Sequence, residues 1–126
     1  MTSAMTTAIG IGMTGALGAA TRYLLVEWVA LRWRKPFPLA TFVINISGSF
    51  ALGFLTTAFA ASAGLETRLL LGTGFLGGYT TFSALSFETV ALARRGESAH
   101  AWLYVGGSVV AGVVAALLGM ALGLTV

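Results

Sequence analysis

Apolar residues run through this chain in long stretches interrupted only where charges or prolines gather, and the pattern predicts four helices long enough to cross a bilayer. Cut at those joints, the spans fall at residues 7–31, 39–63, 68–93 and 99–125. The first joint, "RWRKPFP", combines three cations with both prolines, each of which lacks an N–H and disfavours helical geometry in the residue before it. The joints around "SAGLETR" and "RRGES" are short and hydrophilic. Trp28, Trp33 and Trp102 fall near span ends, where amphipathic rings prefer to lie. The N-terminal stretch lacks the basic region of a secretory signal and reads as a first span that stays in place. Residues 1–126 therefore read as a single all-α transmembrane domain, with nothing left over for a soluble one.

Composition agrees with the pattern. Of 126 residues, 57% are hydrophobic and 9% charged, against about 25% charged in soluble chains. The net charge of +3 reflects few charges rather than a basic surface, and no nucleic-acid footprint is present. Without cysteine there is no disulfide or thiolate chemistry. His100, the only histidine, sits at a span end without a second ligand or nucleophile, and "GTGFLGG" lacks the lysine of a phosphate loop; no enzyme constellation emerges.

The cations are unevenly placed. Arg32, Arg34, Lys35, Arg94 and Arg95 lie in the joints after spans one and three, which share a side, whereas the other side holds only Arg68. The positive-inside rule makes those two joints cytoplasmic and both termini external. Small residues recur at helix-packing spacing: Gly15 and Ala19; Ser49 and Gly53; Ala111, Ala115, Gly119 and Gly123. Helices of this length bury little alone, so a dimer or larger assembly is expected.

Polar groups inside spans carry the functional reading, because an ionised side chain at mid-span costs roughly 2.5 to 3.5 kcal/mol on insertion scales. Thr41, Asn45 and Ser49 stack on one face of the second span. The Asn45 amide offers N–H donors that suit an anion, or an interhelical bond that only joins the bundle. In the third span Gly72, Gly74, Gly77 and Gly78 point to a break, which would free carbonyls in mid-membrane, or to close packing of an intact helix. Thr80, Thr81 and Ser83 follow at once; Thr81, Leu85 and Glu88 share a face. Phe82 offers a ring edge of partial positive charge. Glu88 reads either as a pathway acid or as a carboxylate solvated near the Arg94 end, and Tyr104 with Ser108 forms a hydroxyl pair on the fourth span.

"GFLGGYTTFSALSFE" resembles the third helix of the Fluc (CrcB-like) fluoride channels, with Gly77, Gly78, Thr80, Thr81, Phe82 and Ser83 on that family's GG-x-TTFS segment. "GALGAATRY" with Arg22, "TFVINISGSF" with Asn45, and Tyr104 with Ser108 extend the resemblance over all four helices in order. It implies antiparallel, dual-topology-type dimers in a prokaryotic plasma (inner) membrane, among membrane lipid. Two narrow fluoride pathways would run along the subunit interface through Asn45, Thr81, Phe82, Ser83, Glu88, Tyr104 and Ser108, letting cytoplasmic fluoride leave passively. A structural sodium ion would sit on the dyad, held by the backbone carbonyls of Gly77 and Thr80.

Two positions depart from the family. Leu85 stands where members usually carry a second phenylalanine; Phe87 lies about 200° around the helix from it and is no substitute. Gly112 and Ala116 stand where hydroxyls often follow Ser108. Joined to the cation bias, these gaps suggest one fixed orientation and a homologous partner supplying the missing ring, although a homodimer inserted both ways fits the same residues. A small four-helix proton-coupled cation exporter and a non-transporting scaffold are the competing readings. The exporter needs a central carboxylate, usually on the first helix, and Glu27, the only acid there, lies near that span's end.

Overall fold

The computed structural model describes residues 3–126, and every regular element among them is helical. In chain order these are α1 (Ser3–Ala30), α2 (Leu39–Ala58), α3 (Leu65–Arg68), a π-helical segment (Leu69–Leu76), α4 (Gly77–Tyr79), α5 (Phe82–Arg94) and α6 (Ser98–Gly123). α1, α2 and α6 are each long and apolar enough to cross a membrane unaided. The third crossing is composite: α3, the π segment and α4 form its first half, and α5 forms its second.

The joints follow from local chemistry. After α1 the chain turns through Pro36 and Pro38, and the Trp33 indole donates to the Phe37 carbonyl at 2.8 Å. α2 ends at Ala58, five residues before the sequence-based boundary; Phe59 leaves helical geometry (φ −103°, ψ 10°) and packs edge-on against Phe54. The alanines that follow carry hydropathy but not the helix. α5 ends in a turn with Gly96 at φ +79°, where the Glu97 amide reaches back to the Leu92 carbonyl at 3.0 Å and the Gly96 amide to Ala93 at 3.1 Å. Glycine fits because side chains rarely adopt that backbone region.

Two seams organise the bundle. α2 packs against α6, where Gly53 lies against the Ala116 carbonyl and Gly119 against the Phe50 carbonyl; a Cβ at either would collide with backbone. α1 packs against the π segment and α4, with Gly18 on the Phe75 carbonyl and Gly78 on the Gly15 carbonyl. The small-residue stripes thus do what close helix approach requires. α5 leaves the α1 seam and leans on α6, where Leu85, Leu92, Ala101 and Tyr104 form an apolar cluster against which Phe37 and Phe42 pack.

The third crossing is broken, but not at its glycines. Gly77 is helical (φ −62°, ψ −37°), and the stretch before it winds as a π-helix rather than opening. The chain becomes extended only at Thr80 (ψ 159°) and Thr81 (φ −149°, ψ 116°). Glycine permits a helix to unwind without forcing it; what forces it here are bonds from α2.

Candidate functional site

Asn45, in the first half of α2, grips the break with both ends of its amide. Its Oδ1 accepts from the Thr81 backbone amide at 2.8 Å, and its Nδ2 donates to the Thr81 carbonyl at 2.9 Å. In a continuous helix the Thr81 amide would close onto the Gly77 carbonyl; here Asn45 has taken it. One turn later the Ser49 hydroxyl donates to the Asn45 carbonyl at 2.8 Å. Gly48 lets α2 come close enough, since a Cβ there would strike the Thr80 methyl.

The threonines complete the break. The Thr80 amide and hydroxyl both donate to the Leu76 carbonyl at 2.9 Å, ending α4. Thr81 Oγ1 accepts from the Ala84 amide at 3.1 Å, an N-cap that starts α5, and lies 3.1 Å from Ser83 Oγ. The C-terminus of α4 therefore meets the N-terminus of α5, setting electron-rich carbonyls beside a helix end that favours negative charge.

Two open grooves flank this point, and Thr81 borders both. The first, about 540 Å³, is lined by Asn45, Ser49, Thr80, Thr81, Phe82 and Ser108 among others. Phe82 stands at its lip, 81% exposed. The Ser108 hydroxyl is buried there without a hydrogen-bond partner among the described residues. Beyond Ser108 the same wall continues as Gly112 and Ala116 with no further hydroxyl, and Leu85 also borders it. The second groove, about 610 Å³, runs past Arg22, Thr41, Ser83, Phe87 and Glu88. Phe87 thus faces a different groove from Phe82, as their angular separation on α5 requires.

Glu88 is not paired with Arg94. Its Oε1 accepts from the Thr41 hydroxyl at 2.9 Å and its Oε2 from the Tyr104 hydroxyl at 2.6 Å. Tyr104 is fully buried, its ring edge-on to Phe37 at 5.5 Å between centroids. A carboxylate inside the bundle is thus held by two short hydroxyl bonds, one from each neighbouring helix.

The seven pathway residues read from the sequence therefore fall into two linked sets. Asn45, Thr81, Phe82, Ser83 and Ser108 gather around the break, while Glu88 and Tyr104 pair farther along α5 and α6, joined by Thr41. The site residue that pattern reading passed over as chemistry is Arg22, whose guanidinium lies 3.5 Å from the Thr80 carbonyl and borders the second groove. The signal was available, because a lone arginine within an apolar span is itself a functional pointer.

Gly77 and Thr80, the two carbonyl positions, both line the first groove. The Gly77 oxygen has lost its in-line amide to Asn45, and among the described residues the Thr80 oxygen meets only the long Arg22 contact. Uncharged carbonyl oxygens at an unwound point are the donors that a hard monovalent cation takes, so the residues fit sodium. Two oxygens cannot enclose an ion; a second chain would have to bring more.

Fold and site together define a small multi-pass membrane protein with ion-handling chemistry at a broken crossing. Residues 9–120 match the family model described as CrcB-like protein, Camphor Resistance (CrcB), and the chain belongs to that family. It is 45% identical over 113 residues to the fluoride-specific ion channel FluC 1 of Listeria monocytogenes, covering 90% of this chain and 93% of the other. It is 44% identical over 113 residues to the fluoride-specific ion channel FluC of Roseiflexus sp. (88% and 91%). With the fluoride-specific ion channel FluC 2 of Bacillus thuringiensis subsp. konkukian it shares 40% identity over 121 residues (94% and 98%). The relatives are bacterial, and the apolar crossings place this chain among multi-pass prokaryotic membrane proteins.

Proposed function

We propose that this chain is a subunit of a fluoride channel that lets cytoplasmic fluoride leave the cell passively. Its family and its relatives' names support that reading; the observation that carries it is the Asn45 clamp on Thr81, beside the unpartnered Ser108 hydroxyl. Fluoride is small and tightly hydrated, so a pore must replace its water with close donors. The Ser108 hydroxyl, the spare Asn45 N–H and the Phe82 ring edge are such donors along the first groove, with the Thr81–Ser83 hydroxyl pair where the two grooves meet. Thr41, Glu88 and Tyr104 continue the polar track, with both hydroxyl protons given to the Glu88 carboxylate.

The Asn45 amide and the Thr81 and Ser108 hydroxyls in an otherwise apolar groove are costly to leave against hydrocarbon. We infer that a second subunit covers it, packed antiparallel, either another copy or a homologous chain bringing the ring that Leu85 lacks. Each subunit would contribute its Gly77 and Thr80 carbonyls to a sodium ion between them, which fixes the two breaks in place. The cation-exporter reading has no support among the relatives; Glu27 is exposed and Glu88 is engaged by two hydroxyls.

The test is fluoride efflux from liposomes, followed with a fluoride electrode, for the chain alone and for the chain co-expressed with a homologous subunit. Fluoride release without chloride release from either preparation supports the channel; efflux from the chain alone removes the need for a partner. No efflux from either, or pH-driven uptake of a lipophilic cation, overturns the reading.

A further inference from the structure

The α5–α6 corner carries features that the ion pathway does not use. Arg94, the last residue of α5, and Arg95 are exposed beside the Gly96 turn, and neither guanidinium makes a hydrogen bond or ion pair among the described residues. That turn is fixed by the two backbone bonds closing around Gly96, so the arginines sit on a rigid support. The nearby acid is engaged on the other side: the Glu97 carboxylate lies 3.5 Å from His100 Nδ1.

Beneath the turn lies a cleft of about 190 Å³ between α5 and α6, walled by Val90, Ala93, Ala101, Trp102 and Val105, with Thr89 at its floor. The Thr89 hydroxyl is spent on the Leu85 carbonyl at 2.7 Å. Ala93 and Ser98, the residues on either side of the Arg94–Glu97 stretch, both border the cleft, so that stretch lies next to it. Trp102, 78% exposed, stands at its rim.

A mostly carbon-lined slot between two apolar helices, with Arg94 and Arg95 on the stretch between its bordering residues Ala93 and Ser98 and an exposed Trp102 beside it, matches one ligand chemistry. The slot suits an acyl chain, the guanidiniums suit a phosphate, and the indole sits at headgroup level. A zwitterionic headgroup would bring its own cation against the arginines, whereas an anionic one would not. We propose that this corner binds an anionic phospholipid, its phosphate held by Arg94 and Arg95 and one chain laid along Val90, Trp102 and Val105.

Native mass spectrometry of the full chain in detergent, titrated with phosphatidylglycerol or phosphatidylcholine, tests this. Phosphatidylglycerol is retained on activation and phosphatidylcholine is stripped. Arg94→Gln with Arg95→Gln weakens phosphatidylglycerol binding by at least about tenfold, since a juxtamembrane cation contributes about fivefold each. Val90→Trp, which fills the slot and leaves the charges, weakens it comparably, while Arg68→Gln at the opposite end does not change it. Equal retention of the two lipids by the unmodified chain overturns the proposal without reference to any variant. So does undiminished binding in the double arginine variant or in Val90→Trp, or disulfide formation between two copies through Trp102→Cys, which would make a second chain the occupant.

Discussion

The two halves of the third crossing differ in what they use as chemistry. Residues 65–79 press glycines against α1, and among them the backbone does the work: close carbonyl contacts along the seam and the altered winding of the π segment. Residues 82–94 lean on α6 and work through side chains, with a capped N-terminus, a hydroxyl at Ser83 and a carboxylate at Glu88 held by Thr41 and Tyr104. One stretch of apolar sequence thus holds two kinds of helix. The lesson is that hydropathy sets where a crossing lies, while its partners decide whether backbone or side chains become the functional groups.

The first half is most sensitive at its seam with α1. Gly78→Val would drive a side chain into the Gly15 carbonyl, and because backbone cannot yield cheaply we expect about 3 kcal/mol of destabilisation, read from unfolding in mixed micelles. Next comes the clamp between the halves. Asn45→Ala leaves the Thr81 amide and carbonyl without partners, for an expected loss of about 2 kcal/mol and of most fluoride efflux; wild-type stability and efflux together would show that the break holds itself.

In the second half, Glu88→Gln removes the charge from both hydroxyl bonds, with about 1 kcal/mol lost and reduced efflux expected. Unchanged efflux would confine Glu88 to packing. The smallest effect is expected at Gly77, which is helical and whose Cβ would meet nothing nearer than 3.9 Å within the chain. Gly77→Ala should leave stability unchanged or raise it by about 0.5 kcal/mol. A loss as large as that at Gly78 would mean that another chain lies against Gly77, which the proposed dimer-centred cation site requires.

Much of this was legible in the letters. The crossings and their joints follow from apolar length, proline and charge, and three of the four predicted spans match the helices closely at both ends. The polar residues of α2, α5 and α6 stood out because bilayers make such groups costly. Less legible was the place of the break: the four glycines fitted either an opening or close packing, and the chain opens just after them at Thr80 and Thr81, where Asn45 of α2 takes the Thr81 amide. Arg22 and Phe37 were quiet for a similar reason, since their importance lies in what they touch.

The sequence by itself determined that this is a four-crossing membrane chain, which residues are too polar to be idle within it, and which family it resembles, because transfer from water to hydrocarbon acts on each residue locally. Only the tertiary structure decided that Asn45 would hold the break, that Glu88 would face Tyr104 rather than Arg94, and that Phe82 and Phe87 would border different grooves. Those outcomes depend on how helices distant in the chain are rotated and spaced against one another, and a hydrogen bond a few ångströms long is settled by that placement rather than by neighbours in sequence.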